Sequence, residues 1–157
     1  MPRKYVSTEG FLKAEPKFNN KLMAKFINCL MWDGKKSVAQ RVMYEAMDIV
    51  AKKVKDVPVV EVFQTAVNNV KPLIEVRSKR VGGASYQVPM QVNTNRQRAL
   101  AFRWIILAAR AKKGKPMNIR LAEEIVAAYN KDGAAITTRE NVHRMAEANK
   151  AFAHFAW

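Results

Sequence analysis

The chain has 157 residues, enough for a single domain with one hydrophobic core. Its hydrophobic share of 49% and charged share of 26% are those of a folded protein and exclude a disordered tail. The charge is unusual, because 28 Lys and Arg residues against 13 Asp and Glu give a net charge of +15, which indicates an acidic partner. A single cysteine, Cys29, excludes an intrachain disulfide, and no apolar stretch has membrane-spanning length, so we expect an intracellular protein without a membrane anchor.

The first third of the chain is predicted to be helical. Apolar residues at helical spacing indicate helices near 20–31 and 36–53 and a third that starts around Pro58. The preceding residues, 1–19, are predicted to form a basic N-terminal arm, and 20–157 a single helical domain.

The apolar pattern then changes from a period of 3.6 to a period of 2. Two alternating runs between about 72 and 92 flank the dipeptide Gly82-Gly83, which is typical of a β-hairpin with a tight turn. Because no third strand follows to form a sheet, we expect the hairpin to project from the helical body.

Helical spacing resumes near 95–111, 117–130 and 138–150, and Thr137 and Glu140 have the spacing of a capping box for the last helix. The predicted fold is therefore mainly α. It is a single-domain bundle of about six helices, with one protruding β-hairpin between the third and fourth helices.

The basic residues are concentrated in the middle of the chain. Residues 71–120 contain twelve bases and one acid, a net charge of +11. On the fourth helix Arg96, Arg103 and Arg110 are spaced by seven and should lie nearly in line along one face. Such a row could be a solvated surface, but the helix has no acid and the guanidinium fork suits phosphate, so we predict a nucleic-acid contact.

The hairpin has a basic cluster of its own, formed by Arg77, Lys79 and Arg80, and its tip contains Tyr86. We predict that the cluster binds nucleic acid, whereas Tyr86 could either stack on a base or pack across the strands, and packing is favoured for it. Gly34-Lys35-Lys36 lacks the glycine and the Ser or Thr of a nucleotide-binding loop, which leaves a single phosphate contact as its predicted role.

Catalysis has little support in the sequence. His143, His154 and Cys29 do not have metal-ligand spacing, and Cys29 lies on an apolar helix, where a buried packing role is expected. Glu123 and Glu124 are adjacent and should point in different directions. We predict no enzyme activity, no metal, no cofactor and no small-molecule substrate.

Three motifs carry a family resemblance that covers the whole chain. The first runs from Leu22 to Ala46 and contains Phe26-Ile27 and Gly34-Lys35-Lys36. The second is Arg80-Val81-Gly82-Gly83-Ala84-Ser85-Tyr86-Gln87-Val88-Pro89. The third is Val142-His143-Arg144-Met145-Ala146-Glu147-Ala148-Asn149-Lys150-Ala151-Phe152-Ala153-His154. In this order and at these separations, the chain resembles the bacterial small-subunit ribosomal proteins of family seven.

The resemblance implies a non-enzymatic constituent of the small ribosomal subunit in the bacterial cytoplasm. It implies direct binding to the 3′ major domain of 16S ribosomal RNA and nucleation of subunit-head assembly, with the hairpin near the exit-site tRNA and the mRNA. Ribosomal proteins of families nine and eleven would be its neighbours. A second role as translational repressor of its own messenger is also implied.

The residues that the resemblance assigns to RNA fall into two groups. The rRNA-binding group is basic throughout: Arg3, Lys4, Lys35, Lys36, Arg77, Lys79, Arg80, Arg96, Arg98, Arg103, Arg110, Lys112, Lys113 and Lys115. The group nearest the tRNA and mRNA is the hairpin tip: Val81, Gly82, Gly83, Ala84, Ser85 and Tyr86.

Two alternatives come from other functional classes. A regulatory DNA- or messenger-binding protein would show the same basic helical character. An RNA-modifying enzyme would lose turnover when Cys29 or His143 is replaced, although the sequence contains no constellation of active-site residues.

Overall fold

A computed structural model describes residues 8–156 of the chain. Its elements are α1 (Lys21–Leu30), α2 (Lys36–Lys53), α3 (Val59–Val70), β1 (Ile74–Val81), β2 (Ala84–Gln91), α4 (Thr94–Ala111), α5 (Met117–Tyr129) and α6 (Ala134–Ala148). Short 3-10 helices lie at Thr8–Phe11 and Lys150–Phe155. The predicted mainly α fold, with a hairpin between the third and fourth helices, is confirmed.

Helix α5 occupies the centre of the bundle, where it packs against α2, α3, α4 and α6. Its apolar residues recur at helical spacing, and Leu121 and Ile125 are fully buried. Three phenylalanines extend the core, because Phe26 of α1 meets Phe63 and Phe102 edge-on, at centroid distances of 5.3 and 5.2 Å. This geometry brings the positive ring edge to the negative ring face and adds to the free energy of burial.

The hairpin turn follows from its paired glycines. Gly82 and Gly83 have φ angles of 57° and 89°, and two successive positive φ values belong to the type I′ turn that matches the twist of antiparallel strands. Strands β1 and β2 pair in register from Ile74 opposite Gln91 to Val81 opposite Ala84. The hairpin is anchored midway along its length, where Val88, opposite Arg77, is fully buried.

Helix α6 begins at Ala134, four residues before the predicted start, so the proposed capping box is wrong. The cap comes from α5 instead, because a buried Glu124 oxygen accepts the N–H of Ala135 at 2.9 Å. The other oxygen lies 2.8 Å from Lys112 Nζ. Gly133 permits this approach with a φ of 96°, since a Cβ there would lie 3.0 Å from Glu124 Oε1.

The segment before α1 contacts the bundle through a second buried carboxylate. Glu15 accepts the N–H of Phe18 at 2.7 Å and a hydrogen bond from the Tyr44 hydroxyl. Burial of the phenol, followed by this hydrogen bond, raises the pKa of Tyr44 to about 12. The assignment of 1–19 to an arm stays a prediction, and the last residues of that range are packed on α2.

Replacing Glu124 by Ala should lower the free energy of unfolding by about 3 kcal/mol, because it leaves a buried N–H without its acceptor and the Lys112 ammonium without its ion-pair partner. Urea denaturation measures the change. The adjacent Glu123→Ala is the control and should have a far smaller effect, since its partner Lys115 is exposed. Equal losses from the two substitutions would contradict the assigned role of Glu124.

Candidate nucleic-acid interface

The outer face of α4 carries the predicted arginine row. The helix buries Leu100, Phe102 and Ile105 on one side and exposes Arg103 on the other. Arg103 forms no ion pair with any described residue. Its guanidinium is therefore available to an external anion.

Arg96, at the first turn of α4, belongs to a cluster on one carboxylate. Glu75 of β1, with a side chain only 10% exposed, pairs with Arg77 through one oxygen and with Arg96 Nε at 3.2 Å through the other. We call Glu75, Arg77 and Arg96 the Glu75 cluster. It joins the base of the hairpin to α4, and it neutralises the only acid in residues 71–120.

Arg110, at the other end of the row, connects α4 to the end of α1. Its Nη2 donates to the carbonyl oxygen of Leu30 at 3.1 Å, and its guanidinium lies 4.9 Å from the centre of the Trp32 ring. The three arginines share a face as predicted. Arg96 and Arg110, however, have partners within the protein, and Arg103 does not.

The hairpin packs against the end of the chain. The Tyr86 ring lies 5.3 and 5.2 Å from the rings of Phe152 and Phe155, and Lys79 Nζ donates to the carbonyl of Phe155 at 3.0 Å. Tyr86 therefore has the packing role that the sequence favours, although its partners lie in the C-terminal 3-10 helix rather than on the facing strand.

Beyond this contact the tip is open. Arg80 and the residues from Gly82 to Ser85 are exposed, and Arg80 has no carboxylate partner within residues 8–156.

The lysines of the loop after α4 differ in whether they have a carboxylate partner. Lys112 and Lys115 pair with the two adjacent glutamates of α5, whereas Lys113 is exposed and, among the described residues, unpaired.

The loop from α1 to α2 presents the remaining pair of lysines. Asp33 and Gly34 have φ angles of 51° and 72°, and the N–H of Lys35 donates to the carbonyl of Trp32 at 2.9 Å, which is the pattern of a type I′ turn. The turn exposes both Lys35 and Lys36. The two predicted arm residues, Arg3 and Lys4, lie outside the described residues.

Two cations near the interface are not among the residues predicted from the sequence. Lys25 of α1 lies with Arg98 and Arg103 around Cys29, and its position four residues before that cysteine on one helix could have revealed it. Arg120 of α5 donates to the carbonyl oxygens at the end of α4 and so closes that helix. Lys25 therefore extends the basic surface, whereas Arg120 supports it from within.

Comparisons with known proteins decide the family. Residues 2–150 match the model of the family described as ribosomal protein S7p/S5e. The chain is 58% identical to the small ribosomal subunit protein uS7 of Rhodopirellula baltica, over 97% of this chain and 98% of that protein. It is 59% identical to the Thermotoga maritima protein of that name, over 91% and 92%, and 48% identical to that of Desulfatibacillum aliphaticivorans over both full lengths.

The chain belongs to the S7p/S5e family of ribosomal proteins. It is accordingly a structural protein of the bacterial small ribosomal subunit and acts in translation, which confirms the sequence-based expectation of a ribosomal, non-enzymatic protein.

The chemistry of Cys29 agrees with a non-catalytic role in this S7p/S5e protein. The residue is exposed, so the predicted buried packing role is wrong. Partial burial nonetheless raises the pKa of its thiol above the usual value, although Lys25, Arg98 and Arg103 act to lower it. The thiol therefore stays protonated near neutral pH and is not an activated nucleophile.

Neither a metal site nor a membrane-spanning helix occurs among the described residues. Between residues 8 and 156, no three His, Cys, Asp or Glu side chains form a group that could hold a metal ion. No helix in that range has both the length and the apolar character needed to span a bilayer.

His143 of α6 joins the helix to the start of the hairpin. Its Nε2 accepts the N–H of Leu73 at 3.2 Å, which requires an unprotonated nitrogen. Burial, and secondarily the charge of Arg139, lowers the pKa of His143 below its usual value. The imidazole is thus held neutral in the folded S7p/S5e protein.

Acidification should weaken this junction. The unfolded chain takes up a proton on His143 more readily than the folded chain, so the free energy of unfolding should fall as the pH drops below about 6.5. The decrease should be smaller in His143→Gln, whose amide oxygen can accept the same hydrogen bond without titrating. Denaturation from about pH 7.5 to about pH 5.5 measures both proteins, and identical pH profiles would refute the role of His143.

Proposed function

We propose that the chain binds the 3′ major domain of 16S ribosomal RNA directly and nucleates assembly of the head of the small subunit. The Glu75 cluster carries the proposal. The only acid of residues 71–120 is buried and shared by two arginines, so it does not oppose an approaching phosphate backbone. A surface of this kind binds polyanions mainly through phosphate contacts.

The proposed rRNA-binding residues divide by their contacts within the protein. Those that are exposed and have no carboxylate partner in the described chain would bind phosphate first: Lys35, Lys36, Arg80, Arg103 and Lys113. Those with partners in the protein would present their remaining N–H groups from fixed positions: Arg77, Lys79, Arg96, Arg98, Arg110, Lys112 and Lys115. Arg3 and Lys4 are proposed to bind rRNA on the basis of the family resemblance alone.

The hairpin tip, from Val81 to Tyr86, is proposed to lie near the exit-site tRNA and the mRNA. Its support is the exposure of the tip beyond the contact of Tyr86 with the C-terminal 3-10 helix. On the family resemblance we also propose ribosomal proteins of families nine and eleven as neighbours, and repression of the protein's own messenger as a second role.

The affinity for a transcript of the 3′ major domain should depend steeply on salt. If about six to ten phosphates are neutralised, the association constant should fall by about 10³ to 10⁵ between about 50 and 200 mM salt. Arg103→Ala should reduce the slope of log K against log salt by about 1 without changing stability. Filter binding measures the affinity.

Two controls accompany this assay. Arg96→Ala should reduce the slope similarly but should also lower the free energy of unfolding, because it removes a partner of Glu75. Duplex DNA of equal length tests the regulatory alternative. Salt-insensitive binding, or displacement of the transcript by DNA at equal concentration, would overturn the proposal.

Shortening the hairpin should separate RNA anchoring from the tRNA-side role. Deleting Arg80, Val81, Ala84 and Ser85 leaves Gly82-Gly83 as the turn and makes the Lys79–Tyr86 pair its neighbour, in the same alternation of faces. This variant should bind the transcript as Arg80→Ala does, within about twofold, yet retain exit-site tRNA less well in assembled ribosomes. Much weaker transcript binding than Arg80→Ala, or unchanged tRNA retention, would contradict the proposed division.

A further inference from the structure

A groove between the α1–α2 turn and the end of α4 combines exposed apolar side chains with cations. Its volume is about 550 Å³, and Trp32, Val38 and Met117 contribute apolar surface to it. Lys35, Arg110 and Arg120 also line it, and no acidic side chain of the described chain does. We call this feature the Trp32 groove.

The indole of Trp32 is unusually open for so large an apolar side chain. It is 71% exposed, and Val38, which also lines the groove, is 54% exposed. Exposed apolar surface of this kind is costly to leave in water and marks a binding site when polar groups surround it. The groove therefore has the character of a surface that is covered in the assembled particle.

The indole is also held in position. The turn at Asp33 and Gly34 fixes the backbone that follows it, and the guanidinium of Arg110 lies 4.9 Å from the ring centre. Arg110 is itself fixed by its hydrogen bond to the Leu30 carbonyl. A preorganised aromatic ring loses little conformational entropy when a planar ligand stacks on it.

The charge around the groove selects the class of ligand. Three cations and no acid favour an anion, and an aromatic ring beside a cation is the combination that binds the base and the phosphate of an unpaired nucleotide. We propose that the Trp32 groove takes one unpaired nucleotide of the ribosomal RNA, with its base against Trp32 and its phosphate near Lys35. This inference rests on the proposed function, since it adds a base contact to the phosphate contacts argued above.

Trp32→Ala in the full chain tests the proposal in binding to the 3′ major domain transcript. The affinity should fall about 5- to 150-fold, as for the loss of a stacked base, while the slope of log K against log salt stays unchanged because an indole carries no charge. Trp32→Phe should recover most of the affinity. Met145→Ala, a substitution of an exposed apolar residue on α6 outside the groove and away from the arginine row, is the matched control and should bind as the native chain does.

A second measurement does not depend on how well the alanine variant folds. In a Trp104→Phe, Trp157→Phe background, Trp32 is the only remaining tryptophan, and its fluorescence should be quenched as transcript is added. Absence of quenching with bound RNA would overturn the proposal, as would equal loss of affinity in Trp32→Phe and Trp32→Ala.

The failures of the two proposals are distinguishable. If the native chain binds the transcript with the expected salt dependence and Trp32→Ala binds equally well, only the nucleotide site is wrong. If Trp32→Ala binds RNA normally but is lost from assembled subunits, the occupant is a protein, and the nucleotide proposal is overturned. If the native chain itself does not bind the transcript, both proposals fail.

Discussion

The shared carboxylate of Glu75 is the interaction on which the basic surface depends. A two-stranded hairpin is marginally stable alone, so its direction has to be set by contacts with the bundle. Glu75 supplies one by pairing with Arg77 on its own strand and with Arg96 on α4, and Val88, opposite Arg77, is buried. The same carboxylate offsets repulsion between two arginines that would otherwise lie close together in a strongly basic region. The hairpin and α4 thereby become one surface.

The other buried acids have a comparable position. Glu15, Glu75 and Glu124 are the buried charged side chains of the described chain, and each lies where two elements meet: the segment before α1 with α2, β1 with α4, and α5 with α6. Burying a carboxylate is costly unless N–H groups or cations satisfy it. Basic side chains supply those partners at Glu75 and Glu124, whereas backbone N–H groups and the Tyr44 hydroxyl satisfy Glu15. The acids therefore organise the interior junctions, and most of the uncompensated bases remain outside.

Much of this fold follows from local patterns. Helical spacing predicts the six helices, and Gly82-Gly83 predicts the hairpin turn, because each signal lies within the element that it specifies. The start of α6 was missed because its cap, Glu124, comes from another helix. The spacing of the arginine row was predictable, but the roles of its members were not, since the partners of Arg96 and Arg110 lie 21 and 80 residues away along the chain.

The C-terminal 3-10 helix limits the length of hairpin that is free to contact a partner. The C-terminal 3-10 helix contacts Lys79 and Tyr86, which face each other across the two strands. Only two residue pairs and the turn extend beyond that point, a reach of about 7 Å for the paired part at about 3.3 Å per residue. A longer free hairpin would lose more conformational entropy on binding. Packing of Phe152 and Phe155 on Tyr86 thus shortens the free part of the hairpin. In return, the direction of the tip is fixed before any partner binds.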